Sequence, residues 1–154
     1  MEQIYNNLKN FILESVNNIL PSYEDEKIKL PKVESKNIVF GVIDPVKNTA
    51  NVVCSIYPEN QSIGEQDISG AVGIESSVTV TFLCRGANYE TLMSRICRYA
   101  SAFKYAITEN YSVDDTCVQA NISNVQFYPD CGVTEKTATA VEIEMTIYSE
   151  FNND

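Results

Sequence analysis

The chain contains no histidine. Histidine is the usual general base near neutral pH. Its absence excludes Ser-His-Asp and Cys-His hydrolases and histidine-ligated metal enzymes. Carboxylate or lysine chemistry remains open. Five cysteines are present, Cys54, Cys84, Cys97, Cys117 and Cys131, an odd count with no C-x-x-C spacing. They read as free, mostly buried thiols, not as a disulfide framework. Cys117 and Cys131 can be drawn with Asp114 and Asp115 as a cluster, but no finger-like or ribbon-like spacing supports a zinc site. Phosphate loops are missing too. The stretch "GAVGIESS" at 70–77 has two glycines but neither G-x-x-x-x-G-K-[ST] nor G-x-G-x-x-G, and it leads into an expected strand.

A basic footprint is also lacking. Net charge is -10, from 11 cations and 21 acids. That argues against a general nucleic-acid binder and against anionic membranes. It suits a surface past which DNA slides without sticking. No apolar run approaches the roughly 18 residues of a membrane span. The start, "MEQIYNNLKN", has an acid at position 2 and no apolar h-region, so it does not read as a secretory signal. The expected location is the cytoplasm, until some larger assembly forms.

What is present fits one domain over 1–154. Apolar residues make up 44% and charged residues 21%, ordinary values for a globular chain able to bury a core. Residues 2–19 carry Ile4, Leu8, Phe11, Ile12, Val16 and Ile19 at helical spacing, with Asn, Lys and Glu opposite and Pro21 just beyond. This is an amphipathic helix. Residues 22–37 are charged and broken by Pro31, a surface connection. Two β-branched runs, "NIVFGVID" and "ANVVCSIY", flank "PVKNT" and predict a β-hairpin over 38–57. Residues 58–73, polar with three glycines, predict a long loop.

The segment 74–85 alternates cleanly, with Val78, Val80, Phe82 and Cys84 on one face and Thr79, Thr81 and Arg85 on the other. A helix over 90–108 follows, capped by Asn88 or Thr91, with Leu92, Ile96, Tyr99 or Ala100, Phe103 and Ile107 on one face. Two strands fill 117–149. In the first, alternation through Val118, Ala120 and Ile122 changes phase after Ser123, where Val125 and Phe127 take over. One extra residue there predicts a β-bulge. "DCGVTEKT" makes a turn. In the last strand Val141, Ile143, Met145 and Ile147 point one way, and Glu142, Glu144, Thr146 and Tyr148 the other. The tail "NND" is expected to fray. The predicted fold is α+β: a mostly antiparallel sheet of about four to six strands, with the N-terminal helix and a second helix packed on one face.

Several residues invite a chemical reading. Glu142 and Glu144 are about 7 Å apart by strand geometry. Paired carboxylates can do glycosidase chemistry, but regular alternation already explains them as a solvated or interfacial face. Asp114 and Asp115 lack the further ligands of a cation loop and read as turn or cap residues. The second helix carries Arg95, Arg98 and Lys104 against Glu90, a net +2 in an acidic chain. These cations read either as an exposed or internally paired face, or as a contact to a neighbouring copy, since arginine suits interfaces. DNA binding is a third reading. If the contact is intersubunit, reversing Arg95 and Arg98 to glutamate leaves the fold intact and weakens assembly. Candidate interface residues are therefore Arg85, Arg95, Arg98, Lys104, Glu142 and Glu144. No catalytic, metal or cofactor residue is expected, and no cofactor.

The layout resembles a family. An N-terminal amphipathic helix, a hairpin, a long glycine-containing loop and a strand lead into the helix "YETLMSRICRYASAFKYAI", and two alternating strands finish the chain. This is similar to the tail terminator (tail completion) proteins of long-tailed phages and the collar proteins of phage-tail-like particles. The resemblance spans nearly the whole chain and rests on size, element order and the "LMSRICRYASAF" helix. It implies a non-enzymatic structural protein, a homo-oligomer forming a hexameric ring on the last ring of the tail tube. Such a ring ends polymerisation, contacts the sheath in a contractile tail, and offers a surface to the head–tail connector. It implies a place in the virion or particle, assembled in the bacterial cytoplasm, with DNA passing the lumen, no sequence-specific nucleic-acid binding and no membrane. In such rings sheet edges often pair between protomers, which makes the 138–149 strand a candidate. Two alternatives stand beside it. One is another neck, connector or baseplate component. The other is a small carboxylate- or cysteine-dependent enzyme, which would need a closed apolar pocket near Glu142, Glu144 or Cys131.

Overall fold

The computed structural model describes residues 1–44, 46–131 and 137–152. Pro45, most of the expected turn at 130–137 and the end of the tail lie outside the described residues. The N-terminal helix runs as α1 (Glu2–Phe11), a π-helical turn (Ile12–Val16) and α2 (Asn17–Ile19), then tightens into a 3-10 turn (Leu20–Tyr23) holding Pro21. Leu8, Phe11, Ile12 and Val16 are buried as their spacing requires. The π turn, in which Asn17 N donates to Ile12 O, inserts one residue into the helical period. Asn17 and Leu20 consequently turn inward, although Asn17 belongs to the polar side of a regular helix.

Five strands follow, in spatial order β1-β2-β3-β5-β4. They are β1 (Ile38–Phe40), β2 (Val52–Gln66), β3 (Ala71–Gly86), β4 (Gln119–Tyr128) and β5 (Thr137–Asn152). The second helix, α3 (Tyr89–Glu109), connects β3 to β4, and the Asn88 side chain accepts from Thr91 N as its cap. The fold is α+β with a mixed, mostly antiparallel sheet. Val80, Phe82, Val141, Ile143 and Met145 face the helices and form one core with α1 and α3. Phe82 stacks on Tyr99 with ring centroids 5.4 Å apart, and Phe11 meets Phe103 edge-on at 6.4 Å.

Three sequence expectations are corrected. The 138–149 strand is not a sheet edge: β5 lies between β3 and β4 and pairs with both. The 38–57 hairpin does not form. β1 and β2 are parallel, with Ile38 beside Cys54 and Phe40 beside Ile56. A parallel pair needs a crossover, and the segment between them supplies it by passing over the face of the sheet away from the helices. There Ile43 packs on Leu83, Ala138 and Ala140. Gly41, at φ +102°, starts that turn in a conformation that favours glycine. The 58–73 loop is also not a loop. Its residues continue β2 to Gln66 and begin β3 at Ala71, and only a four-residue turn separates them.

β4 carries the anticipated bulge: its register to β5 shifts between Ile122 and Asn124, with Ser123 the extra residue. On either side of it Ile122 and Val125 both face the helices, opposite Met145 and Ile143.

Candidate subunit interface

The arginines of α3 sit where they grip their own chain. The connection between the N-terminal helix and β1 crosses α3 as an extended strap, with Leu30 and Val33 buried beneath it. Arg95 Nε donates to Lys29 O at 3.0 Å, and Arg98 Nη1 donates to Tyr23 O at 2.8 Å. Arg98 Nη2 also meets the Asp25 carboxylate at 2.7 Å. The Arg98 hydrogen bond, helped by the backbone amides of Ile28 and Lys27, lowers the Asp25 pKa to about 2. The Tyr99 hydroxyl donates to Pro31 O. Asn17 completes the fastening: its Nδ2 donates to Val33 O and its Oδ1 accepts from Val33 N, each at 2.9 Å. A charged connection that reads as loose surface is thus tied down at five residues.

Of the other candidates, all but Lys104 fall on the open face of the sheet. Arg85 is only 7% exposed, and its Nη1 donates to Ala50 O at 3.1 Å. It anchors the end of the β1–β2 crossover and offers nothing outward. All three arginines of the chain therefore have partners within it. Lys104 is exposed on α3. Glu142 and Glu144 stand on the open face, opposite Thr81 and Thr79 of β3. With Tyr57, Glu59, Thr79 and Tyr128 they line an open groove of about 440 Å³. Tyr128 donates to Glu142 at 2.9 Å, which raises the tyrosine pKa, and Thr79 donates to Glu59 at 2.7 Å.

Cys131 also borders this groove, and burial pushes its thiol pKa up. A nucleophilic cysteine needs the opposite shift. Asp114 and Asp115 lie in a left-handed turn, Val113–Asp115, at φ 49–60°. There Asn110 and Ser112 side chains donate to them. Among the described residues no group of three or more Cys, Asp or Glu side chains is placed to hold a metal ion, and no helix is long and apolar enough to cross a membrane.

A further feature was only partly legible in the sequence, which reads strands over 74–85 and 117–149 but a loop over 58–73. Beyond the core, β2, β3 and β5 continue as a three-stranded arm in which β3 pairs with β5 as far as Ala71–Asn152. Its tip is a tight turn. Asp67 Oδ1 accepts from Ser69 N at 2.8 Å, Ser69 Oγ at 2.6 Å and Ala71 N at 3.0 Å, and the Ser69 hydroxyl bond leads in lowering the Asp67 pKa. Gly70 takes φ +89° there. In the middle of the arm the Tyr148 ring lies over Gly73, where an added Cβ would stand 2.7 Å from the tyrosine oxygen. The arm exposes Ile63 (72%), Phe151 (56%) and the fully exposed Ile68. Its outer residues, 57–75 and 149–152, hold five carboxylates, Glu59, Glu65, Asp67, Glu75 and Glu150, and no cation.

The outer part of β2 and the first residues of β3 escape sequence recognition for a physical reason. Period-2 alternation arises when one face is buried, and along 57–66 every residue of β2 but the half-buried Pro58 is exposed. No protein-family model matches the chain, and no curated protein matches it.

Proposed function

We propose that this chain is a structural ring subunit that caps the tail tube of a phage or phage-tail-like particle. In this role it ends tube growth and joins the tube to a sheath, collar or head connector. The observation that carries the reading is the three-stranded arm. A monomeric domain rarely projects a sheet with apolar side chains bare on its surface, because such patches mark interaction sites. The tight Asp67 turn and the continuous β3–β5 pairing make the arm a preformed probe. Five carboxylates without a cation suit it to the basic surface of a different protein, such as the last ring of a tube. The resemblance to tail terminator proteins names that partner; of its element order the two helices and the last three strands stand, while the hairpin and the long loop do not.

In this reading the arginines of α3 serve the subunit's own fold, and the contacts to other proteins come from the arm and the sheet. The test is electron microscopy of the purified protein with tail tubes. Rings seated at tube ends are expected for the wild type. Ile63→Asp with Ile68→Asp should fold normally and leave the tube ends bare. Wild-type protein that leaves tube ends bare at every concentration would end this reading.

A further inference from the structure

The sheet has two outer borders, and they differ in kind. On one border β1 is only three residues long and covers β2 as far as Ile56. Past that point the outer side of β2 carries Pro58, Glu59 and Glu65, and its register breaks at Pro58/Asn60 and at Ile63/Gln66. Short strands, prolines, charges and bulges are the devices that keep a sheet edge from pairing with another chain. The opposite border is β4, ten residues reading "QANISNVQFY". It has no charged residue and no proline in a chain of net charge -10. Its one irregularity is the bulge at Ser123, which leaves Asn124–Tyr128 in unbroken register with Glu144–Ala140 of β5. The turn after α3 covers only the start of β4, where Ala120 N donates to Tyr111 O. Among the described residues no strand lies outside β4.

We infer that β4 is a joint between two copies of this chain, paired antiparallel with itself about a two-fold axis at Gln126. Three observations select a second copy as the occupant. First, the register is self-complementary. With Gln126 opposite Gln126 of the other copy, Phe127 falls opposite Val125 on the helix face, and Tyr128 falls opposite Asn124 on the open face. Aromatic and β-branched side chains facing each other across strands are a favourable pair, and two-fold symmetry makes it twice. Second, Phe127 is 42% exposed although it shares a face with the core residues Val141 and Ile143. The core is left open at this border, and a second β4 would close it. Third, this edge lets two acidic molecules meet. The nearest charges facing the joint within the sheet, Glu142 and Glu144, lie on β5. Across the axis the two β5 strands are three strand spacings apart, about 14 Å, beyond the screening length of roughly 8 Å at physiological salt.

This joint does not rest on the ring reading. Ring contacts are heterologous, whereas a β4–β4 contact is isologous, and it uses a surface separate from the arm. The two can therefore fail independently. The experiment is paired. A Gln126→Cys substitution in a Cys97→Ser background, so that the exposed native thiol is gone, is oxidised mildly and run without reductant. Opposed residues of an antiparallel pair have Cα atoms about 4.5–5.5 Å apart, within disulfide reach. A covalent dimer is expected, and none from Cys97→Ser alone. In parallel, sedimentation of the wild type over a range of concentrations should show a monomer–dimer equilibrium. Phe127→Lys, with unchanged thermal unfolding, should weaken it roughly tenfold. A wild type that stays monomeric throughout, or a dimer indifferent to Phe127→Lys with no cross-link at position 126, overturns the joint. Loss of tube capping in arm variants that still cross-link at position 126 would bear on the ring alone.

Discussion

Asn17 offers the sharpest test of how the strap is held. The residue is 4% exposed and lies where the π turn has rotated it inward. Its amide closes a two-point contact with the backbone of Val33, itself 2% exposed. Asn17→Ala removes both partners at once and leaves a buried N–H and a buried C=O of Val33 unsatisfied. Each such group costs about 1–3 kcal/mol. Allowing for local relaxation, the expected loss is about 3–4 kcal/mol, a large fraction of the roughly 5–15 kcal/mol that a domain has. Urea unfolding should show the midpoint falling with an unchanged slope, and thermal unfolding should drop by about 10 °C. Asn17→Asp adds a signature that a cavity would not give. The aspartate keeps the acceptor for Val33 N but sets a second oxygen against Val33 O. Burial disfavours its charge and raises its folded pKa, and the protonated form can donate again. Its stability relative to wild type should therefore be greater below the ordinary carboxyl pKa and be lost as pH rises through the raised one. A loss below about 1 kcal/mol for Asn17→Ala, or no acid-side recovery for Asn17→Asp, would refute this account of the strap.

Other outcomes follow from the same geometry. Arg98→Ala should cost on the order of 2 kcal/mol through the lost hydrogen bond to Tyr23 O. Chemical unfolding of Arg95→Glu/Arg98→Glu should show the fold weakened, which the intersubunit reading of these residues does not expect. Because the folded Asp25 pKa, about 2, is below its unfolded value near 3.9, the contribution of its pair with Arg98 is present above about pH 4. It fades as pH falls toward 2, and acid titration of Asp25→Asn against wild type reads it. In thiol labelling of the native protein Cys97 should react first. Cys54 and Cys84 should wait for unfolding, since burial raises both pKa values and carries that of Cys84 to about 12. Gly73→Val should collide with Tyr148, and Gly73→Val/Tyr148→Ala should regain part of the lost stability; an additive double variant would refute the contact.

Much of the scaffold is legible because one-sided burial writes a period into the chain. The periodicity predicts the N-terminal helix over 2–19, and its helical run ends at Ile19. It predicts the second over 90–108, and α3 spans Tyr89–Glu109. The bulge at Ser123 can be read because one inserted residue reverses the phase of a period-2 pattern. The parallel pairing of β1 cannot. Adjacent β-branched runs around turn residues read as a hairpin, whereas the chain crosses the open face, where Ile43 packs, and returns parallel. Of the candidate interface residues, Glu142 and Glu144 lie on the open face as their alternation requires. The roles of Arg85, Arg95 and Arg98 are beyond the sequence, because their acceptors are backbone carbonyls 35, 66 and 75 residues away. A carbonyl has no residue type to recognise.

The sequence by itself determined the α+β class, the two amphipathic helices, the buried face of each core strand and the exclusion of histidine chemistry. These are properties of composition and local period, and the backbone has few ways to satisfy them. Tertiary structure alone decided which strands are neighbours and in which direction, which border of the sheet stays undefended, and that a polar tract of glycines and glutamates extends the sheet. It also decided whose partner each arginine is. Those outcomes depend on pairing energies between distant segments and on hydrogen bonds to main-chain groups. Neither leaves a local mark on the residues that make them.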